Sequence, residues 1–262
     1  MEEKQVTMTG NNKISAVIIT FNNADTLEET LLSLKWCDEI VVVDSGSTDQ
    51  TEEICFRHCC RFSYHFFEGY GPQKQYATGL AKNDWILSVD SDEVMSEELQ
   101  HELITIFSGD NIPYTGFKIV ISLYFMGQLF RYGREAKLAH LRLYNRKSGG
   151  FNEDKLHEKI VLQGEIKQLK NIIIHHSYRD LHHYFDKFNK FTSYSVLDAV
   201  RKKKTISKFK ILVKFPAGFL ITYFWQLNFL NGFAGLVWSI NSANYTFVKY
   251  LKLYEELNLK KC

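Results

Sequence analysis

Residues 84–93 read Asp-Trp-Ile-Leu-Ser-Val-Asp-Ser-Asp-Glu, and this stretch decides the fold. The apolar run at 85–89 predicts a strand buried on both faces, and it ends directly on Asp90 and Asp92. Alternate residues of a strand point the same way, so the two carboxylates face one ligand if strand geometry persists. Paired hard oxygen ligands suit Mg²⁺ or Mn²⁺, with water and diphosphate oxygens at the remaining positions. A solvated acidic turn that caps the next helix is the structural alternative.

The rest of the first half of the chain repeats this strand pattern. Strands that alternate with helices indicate right-handed βαβ units and a parallel sheet, hence the α/β class. The second half adds strands and then turns helical and aromatic after Tyr178. The sequence therefore predicts a catalytic α/β domain over 1–177 and a helical extension over 178–262. Predicted strands are 14–20, 39–44, 61–67, 85–89, 116–123, 138–146 and 170–176, and predicted helices are 25–36, 50–58, 73–81 and 96–107.

Polar residues follow the predicted strands at the edge where α/β sheets bind ligands, beyond the carboxyl ends. Thr20 and Asn22 follow the first strand, and Asp44 ends the second. A strand-end carboxylate can accept hydrogen bonds from the base or ribose of a nucleotide. Asp44 can equally serve as a turn aspartate that bonds to the backbone of Gly46 or Ser47, and the two roles are compatible.

Three ordered motifs resemble the family-2 glycosyltransferases. They are 14–20 followed by Phe-Asn-Asn and spaced leucines, Val-Val-Val-Asp-Ser-Gly-Ser-Thr-Asp-Gln-Thr at 41–51, and 84–93 itself. Arg142-Leu-Tyr, Leu156-His-Glu158 and Ile174-His-His-Ser-Tyr178 are similar to the branch that adds glucose to the lipopolysaccharide inner core, the β-1,4-glucosyltransferases. The resemblance covers about 13–254. It implies the GT-A fold, the Rossmann-like fold of nucleotide-diphospho-sugar transferases, and transfer with inversion.

The resemblance also implies roles for the strand-end residues. It places Thr20 and Asn22 in the nucleotide pocket and Asp44 on the base, uracil. It brings Lys74 to the nucleotide or diphosphate.

For the metal, the resemblance makes Asp92 the direct ligand and sets Asp90 against the ribose or sugar. Asp90 is also a candidate second ligand. His176 closes a predicted strand beside His175, where it is a further candidate ligand for Mg²⁺ or Mn²⁺ or a contact for the diphosphate. A structural histidine is the alternative at that position.

The candidates for the catalytic base lie in the polar segment 152–158. A base must reach the acceptor hydroxyl within hydrogen-bond distance. Glu158 is favoured because His157-Glu158 matches the family branch, and Asp154 is the second candidate. His157 and Glu158 can instead pair to order the loop.

Three arginines and the cysteines complete the polar candidates. Arg131, Arg134 and Arg142 can bind an acceptor phosphate through bidentate contacts, with ordinary surface arginines as the default.

Five cysteines without regular spacing do not predict a disulfide framework. Cys55, His58 and Cys59 lack the second ligand pair of a structural zinc site.

The C-terminal third is basic and aromatic. Residues 199–254 contain nine Lys or Arg and no Asp or Glu, and 215–248 are uncharged. Such a segment suits the interface of an anionic membrane, since its amides and Pro216 disfavour a clean span. Packing against the catalytic domain is the competing interpretation, and we expect both. Without a recognised nucleic-acid motif, a nucleic-acid partner is not predicted.

The sequence thus predicts a metal-dependent hexosyltransferase that uses a nucleotide sugar, UDP-glucose, and a lipid-linked glycan acceptor such as the lipopolysaccharide inner core. The polar residues 1–13 lack the apolar run of a secretory signal, so we expect a cytoplasmic protein, peripheral at the inner face of the inner membrane. Two alternatives remain. A sugar nucleotidyltransferase needs a glycine-rich basic loop after the first strand, where this chain has Thr-Phe-Asn-Asn-Ala at 20–24. The other is a non-catalytic, membrane-attached nucleotide-binding scaffold.

Overall fold

The computed structural model describes residues 12–152 and 158–258. Its contacts divide the chain into two compact units. The first unit runs to Ser122 and resumes over Leu138–His176. The second unit comprises Leu123–Lys137 and the chain from Ser177 onward. The segment 123–137, which the sequence places within the catalytic domain, therefore packs with the C-terminal helices.

The helices and strands follow the predicted order. The first two strands have the predicted bounds, and the other predicted elements are present with their ends shifted by a few residues. The elements are β1 (Ile14–Thr20), α1 (Ala24–Ser33), β2 (Glu39–Asp44), α2 (Thr51–Arg57), β3 (Arg61–Tyr64), α3 (Tyr70–Leu80), β4 (Trp85–Asp90), β5 (Glu93–Met95), α4 (Glu97–Phe107), β6 (Gly116–Phe125), β7 (Gln128–Leu129), β8 (Ala139–Asn145), β9 (Gly149–Phe151), β10 (Ile160–Leu162), β11 (Ile166–His175), α5 (Leu181–Arg201), α6 (Lys208–Leu220) and α7 (Gly232–Asn258).

The sheet of the first unit brings the carboxyl ends of three strands together. Its order is β3-β2-β1-β4-β8-β6-β11-β5, in which β3, β2, β1 and β4 are parallel and β8 is antiparallel to β4. In this register Thr20 pairs with Asp44, and Ile19 pairs with Asp90. The predicted strand-end residues therefore share one edge, because parallel strands end on the same side of a sheet.

Both faces of this sheet are covered, as the unbroken apolar runs predict. Ile14 and Ile18 of β1 join one buried cluster with Leu27 and Leu31 of α1. Val17 points the other way and joins a second cluster. Each fully buried aliphatic side chain contributes about 1.5–3 kcal/mol, so the covered strands hold the strand ends in place. Ser96 caps α4 as predicted, since its hydroxyl accepts from the Leu99 N–H at 3.2 Å.

The second unit is helical and aromatic-rich. Its core packs Phe125 and Phe130 with Tyr184 and Ala234, and the ring of Trp238 lies 5.4 Å from that of Phe125. A π-helical turn at Ile221–Trp225 follows α6, and a 3₁₀ turn at Asn228–Asn231 precedes α7.

Asn231 ties the 3₁₀ turn to the inserted segment of the same unit. Its Oδ1 accepts from the N–H groups of Arg131 and Tyr132, and its amide donates to the carbonyl of Tyr132 at 2.9 Å. The segment 123–137 is thus anchored by a buried side chain, which explains why it belongs to this unit. Within the described part of the chain, no helix combines the length and apolarity needed to cross a bilayer. Among the cysteines in the described residues, Cys37, Cys55, Cys59 and Cys60 are free thiols.

Candidate active site

The loops after β1 and β2 are joined by hydrogen bonds around Asn22 and Asp44. Asp44 is buried, and its Oδ2 accepts from the N–H groups of Gly46 and Ser47 at 2.7 Å each. Its Oδ1 accepts the Ser47 hydroxyl. Asn22 has a left-handed backbone, φ 52°, and its Oδ1 accepts from the Thr48 N–H at 2.8 Å. The turn role considered for Asp44 is therefore present, and it orders the two loops in advance of any ligand.

Thr20 contributes a buried hydroxyl at this edge. Its Oγ1 has no hydrogen-bond partner within residues 12–152 and 158–258. A buried polar group left in that state costs about 1–3 kcal/mol. A ligand that bonded to this hydroxyl would remove the cost, so Thr20 is suited to bind one.

The acidic end of β4 is held by Arg142 of β8. Asp90 Oδ2 lies 2.9 Å from Arg142 Nη2, and Glu93 Oε1 lies 2.5 Å from the same nitrogen. Glu93 is fully buried, and its Oε2 accepts the backbone N–H of Asp90 at 2.9 Å. Glu93 therefore fixes both the backbone and the side-chain partner of Asp90. Together with Arg142, it holds the acidic loop in this conformation.

Lys74 of α3 links Asp90 to the favoured base. The Lys74 Nζ lies 3.0 Å from Asp90 Oδ1 and 3.2 Å from Glu158 Oε1, and the lysine side chain is buried. These three residues line one cavity of 380 Å³. The cavity is also lined by His140, Arg142 and Phe151. Three predicted site residues that are far apart in the sequence therefore meet in a space large enough for a sugar.

Asp92 is paired with the histidines at the end of β11. The Asp92 Oδ1 lies 3.3 Å from His175 Nε2, and the His176 N–H donates to the Asp92 carbonyl at 2.8 Å. Strand β11 pairs with β5 in antiparallel register, with His175 opposite Glu93, and this pairing holds the histidines beside the acidic loop.

Burial and neighbouring charges shift the pKa values of these groups in different directions. Burial raises the pKa of Asp90, but Arg142 and Lys74 outweigh burial and hold it well below its usual value. Burial raises the pKa of Glu93, and the adjacent Asp90 charge adds to that rise. Burial opposes the charge of Arg142, yet its two carboxylate partners raise its pKa. Burial lowers the pKa of His175, but its hydrogen bond to Asp92 and the acidic neighbours raise it overall.

The donor atoms suit a hard divalent cation that a ligand completes. In the described part of the chain, no three His, Cys, Asp or Glu side chains form a closed metal site. Mg²⁺ in phosphate-binding sites is usually held by one or two carboxylates, and substrate phosphates and waters supply the remaining oxygens. Asp92 can supply such a carboxylate. Both oxygens of Asp90 are held by Lys74 and Arg142, so Asp90 would have to give up one of these contacts to bind a cation, and both metal roles stay predictions.

Comparison with known sequences gives the family. Residues 15–178, more than half of the chain, match glycosyl transferase family 2. The chain belongs to this family. An uncharacterized glycosyltransferase of Rickettsia typhi is 32% identical over 259 residues, which is 95% of this chain and 88% of the relative. The lipopolysaccharide core biosynthesis glycosyltransferase LpsC of Rhizobium meliloti is 28% identical over 254 residues, 94% of both chains.

A solved structure gives a more distant likeness to this family-2 glycosyltransferase. It is the glucosyl-3-phosphoglycerate synthase of Mycobacterium tuberculosis in complex with Mn²⁺, UDP and glucosyl-3-phosphoglycerate, 16% identical with a TM-score of 0.44. The likeness covers 65% of this chain and 74% of that one. The family match, together with the sheet and helices of the first unit, confirms the resemblance carried by the motifs and the GT-A α/β fold. A sugar nucleotidyltransferase has no support.

The family-2 glycosyltransferase also contains site residues that the sequence did not identify. Glu93 is only the last residue of a motif in the sequence, and its contact with a partner 49 residues away leaves no local signal. Arg142 had the surface as its default position, and this was wrong because its guanidinium is largely buried against Asp90 and Glu93. Its role toward an acceptor phosphate stays a prediction. Arg131 and Arg134 are exposed in the second unit. Asp154 lies outside the described residues.

Proposed function

We propose that this glycosyltransferase moves glucose from UDP-glucose onto a lipid-linked glycan, such as the lipopolysaccharide inner core, with inversion at the anomeric carbon. The reaction takes place at the cytoplasmic face of an anionic inner membrane. The first unit carries the catalysis, and the second unit, which begins its main run at Ser177, carries the membrane contact. The relative LpsC is a lipopolysaccharide core biosynthesis glycosyltransferase, and this supports the acceptor class.

The donor site is assigned to the edge formed by β1, β2 and β4. Thr20 offers its unpartnered hydroxyl to the nucleotide, and Asn22 shapes the pocket wall. Asp44 holds the uracil while its turn bonds keep the carboxylate in place. Because these bonds exist before the ligand arrives, little conformational entropy is lost when the nucleotide binds.

Asp92 and Asp90 are assigned to Mg²⁺ or Mn²⁺, with His176 as the further candidate. When bound, such a cation neutralises the negative charge that develops on the departing nucleoside diphosphate. Arg142 and Glu93 keep the Asp90 carboxylate in one orientation. Lys74 adds a fixed positive charge on the same side of the cavity, where it faces the diphosphate.

Glu158 is assigned as the base. It accepts the proton of the acceptor hydroxyl while that oxygen bonds to the anomeric carbon and the bond to the diphosphate breaks. The bonding electrons leave with the diphosphate, so one displacement inverts the configuration. The observation that carries the proposal is the position of Lys74 between Asp90 and Glu158 in one cavity. This contact supports the proposal because a candidate donor contact and a candidate base line the same cavity. Asp154 is kept as the second candidate.

The donor half is tested by calorimetry with UDP, GDP, CDP and ADP, with Mn²⁺ present or removed by a chelator. We expect UDP to bind best and only with the metal. Binding that is absent or independent of metal would contradict the metal assignment and favour a non-catalytic scaffold.

The base is tested with Glu158→Gln, and the matched control is Glu165→Gln at an exposed loop position outside the cavity. We expect Glu158→Gln to lower the transfer rate by about a hundredfold or more while UDP binding is kept. Near-native transfer by this variant would move the base to Asp154.

A further inference from the structure

An apolar stripe runs along the solvent side of α6, and the exposed Lys208 and Lys210 flank its start. Phe209, Leu212, Val213, Pro216 and Leu220 are all exposed, and apart from the adjacent Leu212 and Val213 they recur at intervals of three and four residues. Residues at such intervals share one face of a helix. A soluble helix normally presents polar residues to water on this face, so α6 has the reverse pattern. We call these five residues the α6 stripe.

The apolar exposure continues past the end of α6. Ile221, Phe224 and Trp225 of the π-helical turn are exposed, and Trp225 is 86% exposed, the largest fraction among the exposed large hydrophobic residues of the described chain. Single exposed apolar residues are ordinary, but a contiguous group of this kind marks a contact surface. The question is what covers it.

The charges beside the α6 stripe point to one occupant. Lys208 and Lys210 lie in the first turn of α6, the positive end of the helix dipole, where acidic residues are normally favoured. No acidic residue lies in that turn or anywhere in 199–254. Lysines placed there lower helix stability slightly, and an anionic surface would reverse that penalty.

Two lysines of α6, Lys208 and Lys214, are held at defined positions and keep their charge. Lys214 Nζ lies 5.0 Å from the ring centre of Tyr250, and Lys208 Nζ lies 5.8 Å from that of Tyr254, both on α7. Lys202 is paired with Asp198 at 2.8 Å and is therefore largely neutralised. The unneutralised charge is concentrated where the α6 stripe begins. A second protein copy would bring the same positive charge to the contact, and this disfavours self-association.

We infer that the α6 stripe and Trp225 lie in the headgroup region of an anionic lipid bilayer, parallel to its surface, with Lys208 and Lys210 on the anionic lipids. The arrangement matches interfacial helices, in which an apolar face enters the headgroup boundary and basic residues flank it. This inference rests on the membrane contact in the proposed function and names the residues that make it. Its tests do not measure sugar transfer, so the membrane contact and the transferase activity can be contradicted separately.

The first test measures binding of the full chain to vesicles of phosphatidylcholine, with and without phosphatidylglycerol. We expect binding to the anionic vesicles and weaker binding at high salt. Leu220→Glu should reduce binding roughly tenfold or more, because it replaces a leucine that the bilayer would bury with a charged side chain. Lys208→Gln and Lys210→Gln should each reduce it roughly fivefold.

The matched control is Leu197→Glu on α5 of the same unit. Leu197 is 53% exposed and Leu220 is 55% exposed, so the two changes alter similar surface. Leu197→Glu should bind vesicles like the wild-type protein, and circular dichroism should show equal helix content for all variants. Equal losses for Leu197→Glu and Leu220→Glu would overturn the assignment to α6.

Trp225 supplies a readout of insertion. We expect its fluorescence to shift to the blue with anionic vesicles and to be quenched by brominated lipid tails, and the shift to disappear in Trp225→Phe. Binding without any shift or quenching would mean that the lysines alone make the contact, and would overturn insertion. Sedimentation of the wild-type protein as a dimer that Leu220→Glu dissociates, without vesicle binding, would assign the α6 stripe to a second copy instead.

Discussion

In the first unit Glu93 and Asp44 are charged side chains taken out of water, whereas in the second unit Trp225 and Phe209 are aromatic side chains left in it. Each pair reverses the usual distribution of residue types. The buried charges are tolerated because each has partners, such as Arg142 for Glu93 at 2.5 Å. The exposed aromatics have no such compensation among the described residues of their helix face. In the first unit the buried charges are already paired within the site. In the second unit the exposed aromatic side chains form the surface that we assign to the lipid bilayer.

The largest expected effect concerns the acidic loop. Asp92→Asn should reduce transfer by about a thousandfold or more, because the amide cannot provide the charge that holds the cation. The fold should be retained, as judged by an unchanged melting curve. Product formation from UDP-glucose is the measurement.

Asp84→Asn is the matched control, because Asp84 lies at the other end of the same motif and pairs with Lys147 at the surface. It should transfer sugar at a near-native rate. Retained activity in Asp92→Asn would contradict the assignment of Asp92 to the metal, and with it the proposed active site of the first unit.

The buried charges can also be broken directly. Arg142→Met leaves the buried Glu93 and the half-buried Asp90 without their guanidinium partner, and should lower the free energy of unfolding by about 3–5 kcal/mol. Lys147→Gln removes an exposed pair and should change it by about 0–1 kcal/mol. Urea unfolding measures both. Similar small effects would mean that the acidic loop is held by its backbone alone.

A variant of Thr20 tests whether its unpartnered hydroxyl binds the nucleotide. Thr20→Val should leave the stability unchanged or raise it, since it removes a buried unpartnered hydroxyl, while UDP affinity falls roughly five- to tenfold. Thr30→Val is the control, because the Thr30 hydroxyl donates to the Ser91 carbonyl at 3.2 Å and its loss should destabilise the fold. Calorimetry and thermal melts together separate the cases. Unchanged UDP affinity in Thr20→Val would place the nucleotide elsewhere.

The smallest expected effect concerns the exposed aromatic side chains of the second unit. Trp225→Ser should change the free energy of unfolding by no more than about 0.5 kcal/mol, because its side chain is mostly in water. Phe130→Ala in the same unit should cost about 3–5 kcal/mol, since Phe130 is buried with Phe125 and Trp238. Chemical unfolding compares them. A large loss for Trp225→Ser would show that this ring packs in the folded state.

Short sequence patterns predicted the strands and the order in which their ends meet, because these features depend on residues close together in the sequence. Strands β1 and β2 have the predicted bounds because an unbroken apolar run and the polar turn after it lie within ten residues. The positions of Thr20, Asp44 and Asp90 at one edge followed from parallel strand order.

Contacts between distant residues were not predictable in this way. Arg142 is 52 residues from Asp90, and no spacing rule connects an arginine in an antiparallel strand to an acidic loop. The inserted segment 123–137 was missed for the same reason, since Asn231, which anchors it, lies about a hundred residues further on. The α6 stripe was hidden because an amphipathic period does not reveal which face the rest of the unit covers. The roles of the site residues remain predictions.

The π-helical turn at Ile221–Trp225 has a consequence for the phase of the C-terminal helices. A π turn holds one residue more than an α turn, so it corresponds to a single-residue insertion in a continuous helix. Each residue advances an α helix by about 100°, and deleting one residue here would therefore rotate α6 by that angle relative to the 3₁₀ turn and α7. Relatives one residue shorter at this point would have to present another set of side chains along α6. Apolar residues in such relatives should then recur one position out of step with Leu212 and Leu220.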